Sequence, residues 1–390
     1  MLSREMPRTT TIELQSVRRF MFGLLVLTAA QTACGSNGAE GGGSSADPWG
    51  GETQAGSSGD DAMPGGSTSS TGSGQSTGAE PDASSSSQGG DSETGDGPSV
   101  GEGQCHDGPL ADELTDPSCL DGRYCETLPD REQDIDGLVD ALNAATETDE
   151  KVAFAAEILS LGYPFGLEII ESADAGCHAM WADALGPDWP NVTAAIEFAV
   201  HECGHGWDFG SGAYQISDDV FVPVPDRDYF ARSEITADAH HGRIPDAAAN
   251  DVYFDPGTLS SDQGIQTTLS EWTQYNHDLA TAYLLHRERD GQWSYEMQLA
   301  LNFAWALPRY LAWAKQNHPE DYAHMLEDEN VRASILTLWG QTVLYYERFA
   351  RDTPWSPADD HTQYIEAIRD PELQQVMDEV RLAHGCDGLQ

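Results

Sequence analysis

The chain has 390 residues and a formal net charge of −47, set by 19 Lys and Arg against 66 Asp and Glu. No basic stripe is available to meet phosphates, so nucleic-acid binding is an excluded function class. Acidity of this kind speaks first to solubility and only second to a preference for cationic substrates.

In chain order, residues 1–33 read as an export signal. Arg4, Arg8, Arg18 and Arg19 form a basic start, Phe20–Ala30 an apolar stretch, and small residues follow to Ala33. The apolar run is too short for a permanent span. Gln31-Thr32-Ala33-Cys34 resembles a bacterial lipobox, although Gln31 stands where leucine is usual. The resemblance implies a lipid on Cys34 and a site at the cell envelope, outer membrane or cell surface. Arg18-Arg19-Phe20 resembles a twin-arginine signal only faintly. With Cys34 removed from the seven cysteines, six remain: Cys105, Cys119, Cys125, Cys177, Cys203 and Cys386. An even set in an oxidising compartment reads as a disulfide framework, and Cys177 with Cys203 is the preferred pair.

Residues 34–104 are Gly, Ser, Thr and acid without a Lys or Arg. Such a tract buries too little apolar surface to offset its ordering entropy, so it reads as a disordered tether with a reach on the order of 45 Å. Residues 105–390 are long enough for one sizeable core and contain only the lysines Lys151 and Lys315. Asp134–Leu161 has helical periodicity with a polar break at Thr146–Asp149. Gly166–Ser172, Asp219–Val224 and Tyr229–Ile235 read as strands. Helices are expected over Val192–Trp207, Thr267–Arg287, Tyr295–Gln316, Val331–Ala350 and Tyr364–His384, with Pro308 and Arg309 interrupting the third and Trp305, Trp313 and Trp339 packing the last group. The expected fold is α+β and mostly helical: one active-site helix, a small sheet and a C-terminal helical bundle.

The chemistry sits in His201-Glu202-Cys203-Gly204-His205. Positions i and i+4 share a helix face, so both imidazoles can grip one metal ion. Glu202, about 100° further round, can reach a water acidified by that ion. Chance produces only about 0.03 HExxH matches in a chain with 12 histidines, and context adds to the signal. Pro190-Asn191 makes a helix start, Ala194–Val200 runs into the motif unbroken, and Gly206 and Gly210 are expected to end the helix.

These residues resemble the zincin metallopeptidases. The resemblance implies zinc as cofactor, His201 and His205 as ligands, Glu202 as catalytic base, and a peptide or protein substrate. It covers the motif helix only. Ser211 occupies the position of the third metzincin histidine, and Val224 and Pro225 stand where thermolysin-like spacing requires a glutamate. A later glutamate is therefore expected as third ligand. Glu271 ranks first, since it lies near the start of a long helix and shares one polar stripe with Tyr275 and Asp278, with Tyr275 as an oxyanion stabiliser. Glu234 ranks second, as its E-x-x-x-D with Asp238 echoes the thermolysin-like arrangement, and His240, His241 and Asp219 follow. Cys203 points away from the metal face. The alternative function is a tethered surface binding or adhesion lipoprotein with a structural or inactive zinc site.

Overall fold

A computed structural model of the protein describes residues 103–173, 175–186, 192–244, 250–258, 260–286, 295–352 and 359–387. The export signal, lipid anchor and nearly all of the tether fall on residues 1–102, outside that set. Gln104, read as the end of the tether, is already paired with Glu126 in a two-residue ladder, β1 (Gln104–Cys105) on β2 (Cys125–Glu126).

Helices dominate among the described residues, as expected, with two small two-stranded antiparallel sheets, the second of them a hairpin, as the sheet content. Four short helices follow the first ladder strand: α1 (Pro109–Leu114), α2 (Asp136–Ala144), α3 (Thr148–Gly162) and α4 (Pro164–Ser172). The polar break foreseen near Thr146 is the junction of α2 and α3. The strand expected at Gly166–Ser172 is instead α4. Pro164 occupies its first turn, and Gly166, Ile169 and Ile170 bury one face at helical spacing. Next come α5 (Ala175–Ala184) and the motif helix α6 (Val192–Ser211). Gly206 and Gly210 do not end α6, because neither takes the left-handed backbone of a helix stop and the helix runs on to Ser211. The stop is Gly212, whose φ of 73° is the left-handed turn that glycine accepts. The expected start at Pro190-Asn191 lies outside the described residues.

The second hairpin pairs β3 (Ala213–Gln215) with β4 (Phe221–Pro223), so only the middle of the strand expected over Asp219–Val224 is extended. Tyr229–Ile235 is not a strand. Tyr229 sits at a φ of 59°, and Arg232–Ala237 winds into a 3-10 helix that draws Arg232 into the interior. There Nε of Arg232 donates to the carbonyls of Tyr253 and Ser260, each at 3.0 Å. A 3-10 turn (His241–Arg243) and a π-turn (Asn250–Phe254) lead to α7 (Ile265–Leu284).

The remaining helices are α8 (Tyr295–Asn317), α9 (Pro319–Glu327), α10 (Glu329–Asp352), α11 (Asp359–Ile368) and α12 (Pro371–His384). Pro308 does not interrupt α8, since burial along the helix outweighs a lost backbone bond costing about 3 kcal/mol. Residues 364–384 form two helices because Asp370 caps α12, accepting from the Glu372 amide, and Pro371 cannot extend α11. Trp305 and Trp339 are buried in the C-terminal group and Trp313 is partly buried, as expected. Among the described residues, no helix is long and apolar enough to cross a membrane.

α7 is the centre of the fold. It packs on α6, α8 and α10, and nearly every residue from Ile265 to Leu284 is buried. A helix buried all round is normally apolar. This one carries Ser270, Glu271, Gln274, Asn276, His277 and Asp278 inside, so each polar group needs a partner. Three disulfides brace the unit: Cys105–Cys125, Cys119–Cys386 and Cys177–Cys203. The third is the pair preferred from sequence, and it ties α5 to the motif helix.

Candidate metal centre

α6 and α7 cross closely because residue 204 has no side chain. A Cβ there would lie 1.7 Å from Oε1 of Gln274. Through this contact the buried face of α6, with His201 and His205, meets the polar face of α7.

The two imidazoles and Glu271 converge. Nε2 of His201 is 3.3 Å from Nε2 of His205, and Oε2 of Glu271 is 3.6 Å and 3.4 Å from the two nitrogens. The partners of the outer ring nitrogens fix both tautomers. Nδ1 of His201 donates to Oδ2 of Asp278 at 2.8 Å. Nδ1 of His205 donates to Oγ of Ser270 at 2.8 Å, because the Ser270 proton is given to Oδ2 of Asp208 at 3.0 Å. In the neutral rings both Nε2 atoms therefore turn lone pairs inward, toward a carboxylate oxygen that accepts no hydrogen bond among the described residues. Three electron-rich atoms held in a triangle without a proton between them repel one another, and a cation at the centre removes that cost. The size fits: ligands about 2.05 Å from a tetrahedral ion stand about 3.3 Å apart.

The wider charge balance agrees. Glu202, Asp208, Glu271 and Asp278 are all buried, at 5%, 0%, 7% and 3% exposure. Each buried carboxylate costs several kcal/mol unless compensated. Burial opposes a proton on His201, but Asp278 and Glu271 outweigh it and hold its pKa well above the ordinary histidine value. Burial likewise pushes Glu271 up, while His205 and His201 pull it below the usual carboxylate range. A proton on His201 and a metal ion would therefore compete to balance the same buried negative charge. Burial raises the Glu202 carboxyl, His201 and His205 oppose the rise, and Glu271 adds to it. Oε1 of Glu202 is buried and has no hydrogen-bond partner among the described residues.

Of the third-ligand candidates, the structure brings Glu271 to the histidines and not Glu234. Oε2 of Glu234 accepts from His318 at 2.8 Å and from Trp313 at 3.3 Å, and Asp238 pairs with the buried Arg309 at 2.8 Å. His241 faces Asp255 at 3.8 Å. His240 joins a second grouping with Asp370 and Glu372, where Arg243 already pairs with Asp370 and supplies the cation. Asp219 stands in the turn before β4 and belongs to neither grouping. The ring of Tyr275 packs edge-on against His201, centroids 4.6 Å apart, and its hydroxyl lies 2.5 Å from that of Tyr253.

Sequence reasoning named the three residues that converge and left their supports without roles. Asp278 was visible only as part of a polar stripe with Glu271, and Asp208, Ser270, Gln274 and Tyr253 were not singled out. A usable signal was present, namely the density of polar residues in a segment long enough to be a central helix. No protein-family model, curated protein or solved structure matches the chain.

Proposed function

We propose that the chain is a zinc-dependent hydrolase acting on peptide or amide bonds, with a zincin-like centre of His201, His205 and Glu271. The observation that carries this reading is the inward-facing triangle of two imidazole lone pairs and one carboxylate oxygen, 3.3 to 3.6 Å on a side. A donor set of two imidazoles and one carboxylate suits zinc, and three protein ligands leave a fourth position for the reaction. Zinc held there would acidify a water and polarise a substrate carbonyl.

The residues divide the remaining work. Asp278 and Ser270 hold the two imidazoles in the tautomer that leaves Nε2 free. Glu202 follows His201 on α6, and its buried, raised carboxyl takes the proton of the attacking water and passes it to the leaving amine. The Tyr275 hydroxyl, paired with Tyr253, is the nearby neutral donor for charge developing on the carbonyl oxygen. An envelope address with a lipid on Cys34 and a flexible tether belongs to the same proposal, and it suits an enzyme working on substrates at a surface.

Glu202→Gln is the test. The variant should bind zinc as the parent does and lose at least about 100-fold in hydrolysis of a mixed peptide library. Retention of full turnover removes Glu202 from the role given to it. The competing reading is an adhesion or binding lipoprotein whose zinc is structural. It requires a closed, four-ligand site, whereas among the described residues three ligand groups converge and Oε1 of Glu202 has no hydrogen-bond partner, which favours the hydrolase.

A further inference from the structure

We infer that Asp208 is a positioning residue for the metal centre, acting on His205 through Ser270. The inference rests on the metal reading above and adds a role for a carboxylate that touches neither ligand nor substrate.

Asp208 lies three residues beyond His205 on α6 and is fully buried. Among the described residues, every hydrogen-bond partner of Asp208 is a donor. Oδ1 accepts the Gln215 amide at 3.0 Å, and Oδ2 accepts Ser270 Oγ at 3.0 Å and Gln274 Nε2 at 2.7 Å. Burial pushes the Asp208 carboxyl up to about 7, while its three donors and the nearby His205 favour the ionised form. Once ionised it has no proton to give, so the hydroxyl of Ser270 has one direction open to it. Its oxygen then faces Nδ1 of His205 at 2.8 Å as an acceptor, and the ring proton must sit on Nδ1. The inner nitrogen of His205 is thereby fixed as a lone pair. A hydroxyl by itself carries no such instruction, because it donates and accepts equally well. The two histidines are thus set by different means: His201 by a carboxylate in direct contact, His205 by a carboxylate one hydroxyl away.

The Asp208→Asn exchange keeps the shape and inverts the instruction. With its amide oxygen on the Gln215 N–H, its NH2 faces Ser270, whose proton then turns toward His205 and drives the ring proton onto the metal-facing nitrogen. With the amide flipped, NH2 meets the Gln215 N–H donor to donor. Either outcome weakens the site.

The experiment measures zinc affinity of the full chain by competition with a chromophoric chelator, for the parent, Asp208→Asn, Ser270→Ala and the double variant. Each single variant should lose about 10- to 100-fold in affinity. The double variant should lose no more than Ser270→Ala alone, because Asp208 works only through that hydroxyl. If the losses multiply, or if Asp208→Asn binds zinc like the parent, the relay is overturned while the metal site stands. A parent that takes up no zinc overturns the proposed function, and the relay with it. Should Asp208→Asn fail to fold, Gln274→Ala replaces it. That variant removes another donor from the same carboxylate but leaves the relay in place. It should cost less than about threefold where Ser270→Ala costs 10-fold or more, and equal losses would reduce Asp208 to a structural role.

Discussion

Placing a methyl group on residue 204 perturbs the crossing on which the site is built. In Gly204→Ala the new Cβ would stand 1.7 Å from Oε1 and 2.5 Å from Cδ of Gln274. Carbon and oxygen settle at about 3.3 Å, so the amide must retreat by about 1.5 Å. Gln274 is fully buried and its amide donates to Asp208 at 2.7 Å, so retreat breaks a hydrogen bond to a buried carboxylate, worth about 1.5 to 3 kcal/mol. Overpacking adds about 1 to 3 kcal/mol, and the better helix propensity of alanine returns about 1 kcal/mol. The net expected loss is about 1.5 to 5 kcal/mol, read from urea unfolding followed by circular dichroism with disulfides intact. Removing the obstructing side chain in Gly204→Ala/Gln274→Ala should make the pair at least about 1 kcal/mol more stable than the sum of the single effects. A Gly204→Ala protein as stable as the parent refutes the close approach of α6 and α7 described above.

Other outcomes follow from the same structure. The Cys177–Cys203 bridge closes a loop with a sequence separation of 26, so Cys177→Ala/Cys203→Ala should lower stability by about 3 kcal/mol in a urea melt. An unchanged midpoint would show that the bridge does not constrain the unfolded chain. His277 is buried as a neutral ring, donating to the Gln215 carbonyl at 2.7 Å and accepting from Tyr163 at 3.0 Å, and burial depresses its pKa to about 4. Between about pH 6.5 and pH 4 the unfolded state binds the extra proton. The contribution of His277 is therefore complete above pH 6.5 and falls by about 3 kcal/mol as pH drops to 4. His277→Gln, able to make both bonds without titrating, should lose that part of the acid slope. Parallel stability curves for parent and variant between pH 4 and 6.5 would contradict the assignment.

The site was legible where chemistry is local. His201, Glu202 and His205 are within one helical turn of each other, so spacing alone specified their shared face. Glu271 was selected for its helix and its polar stripe, and the structure brings it within 3.6 Å of both imidazoles. The supports were harder to see, because Asp208 and Ser270 meet across 62 residues of sequence and Gln274 faces Asp208 across 66. No local pattern encodes such pairings. The errors in the fold have a common origin. Ile169 and Ile170 carry β propensity but lie on a helix set by Pro164, and Tyr229–Ile235 looks extended until Arg232 is buried against loop carbonyls. Tertiary partners overrode propensity in both cases. Pro308 misled in the same way, since burial of α8 holds the helix through it.

Zinc stoichiometry of the purified full chain and of three single variants bears most directly on the metal centre. One zinc per parent molecule is expected, retained in Glu234→Ala and lost in both His205→Ala and Glu271→Ala. A parent that binds none, or a Glu271→Ala protein that keeps its zinc while Glu234→Ala loses it, would contradict the centre assigned to α6 and α7.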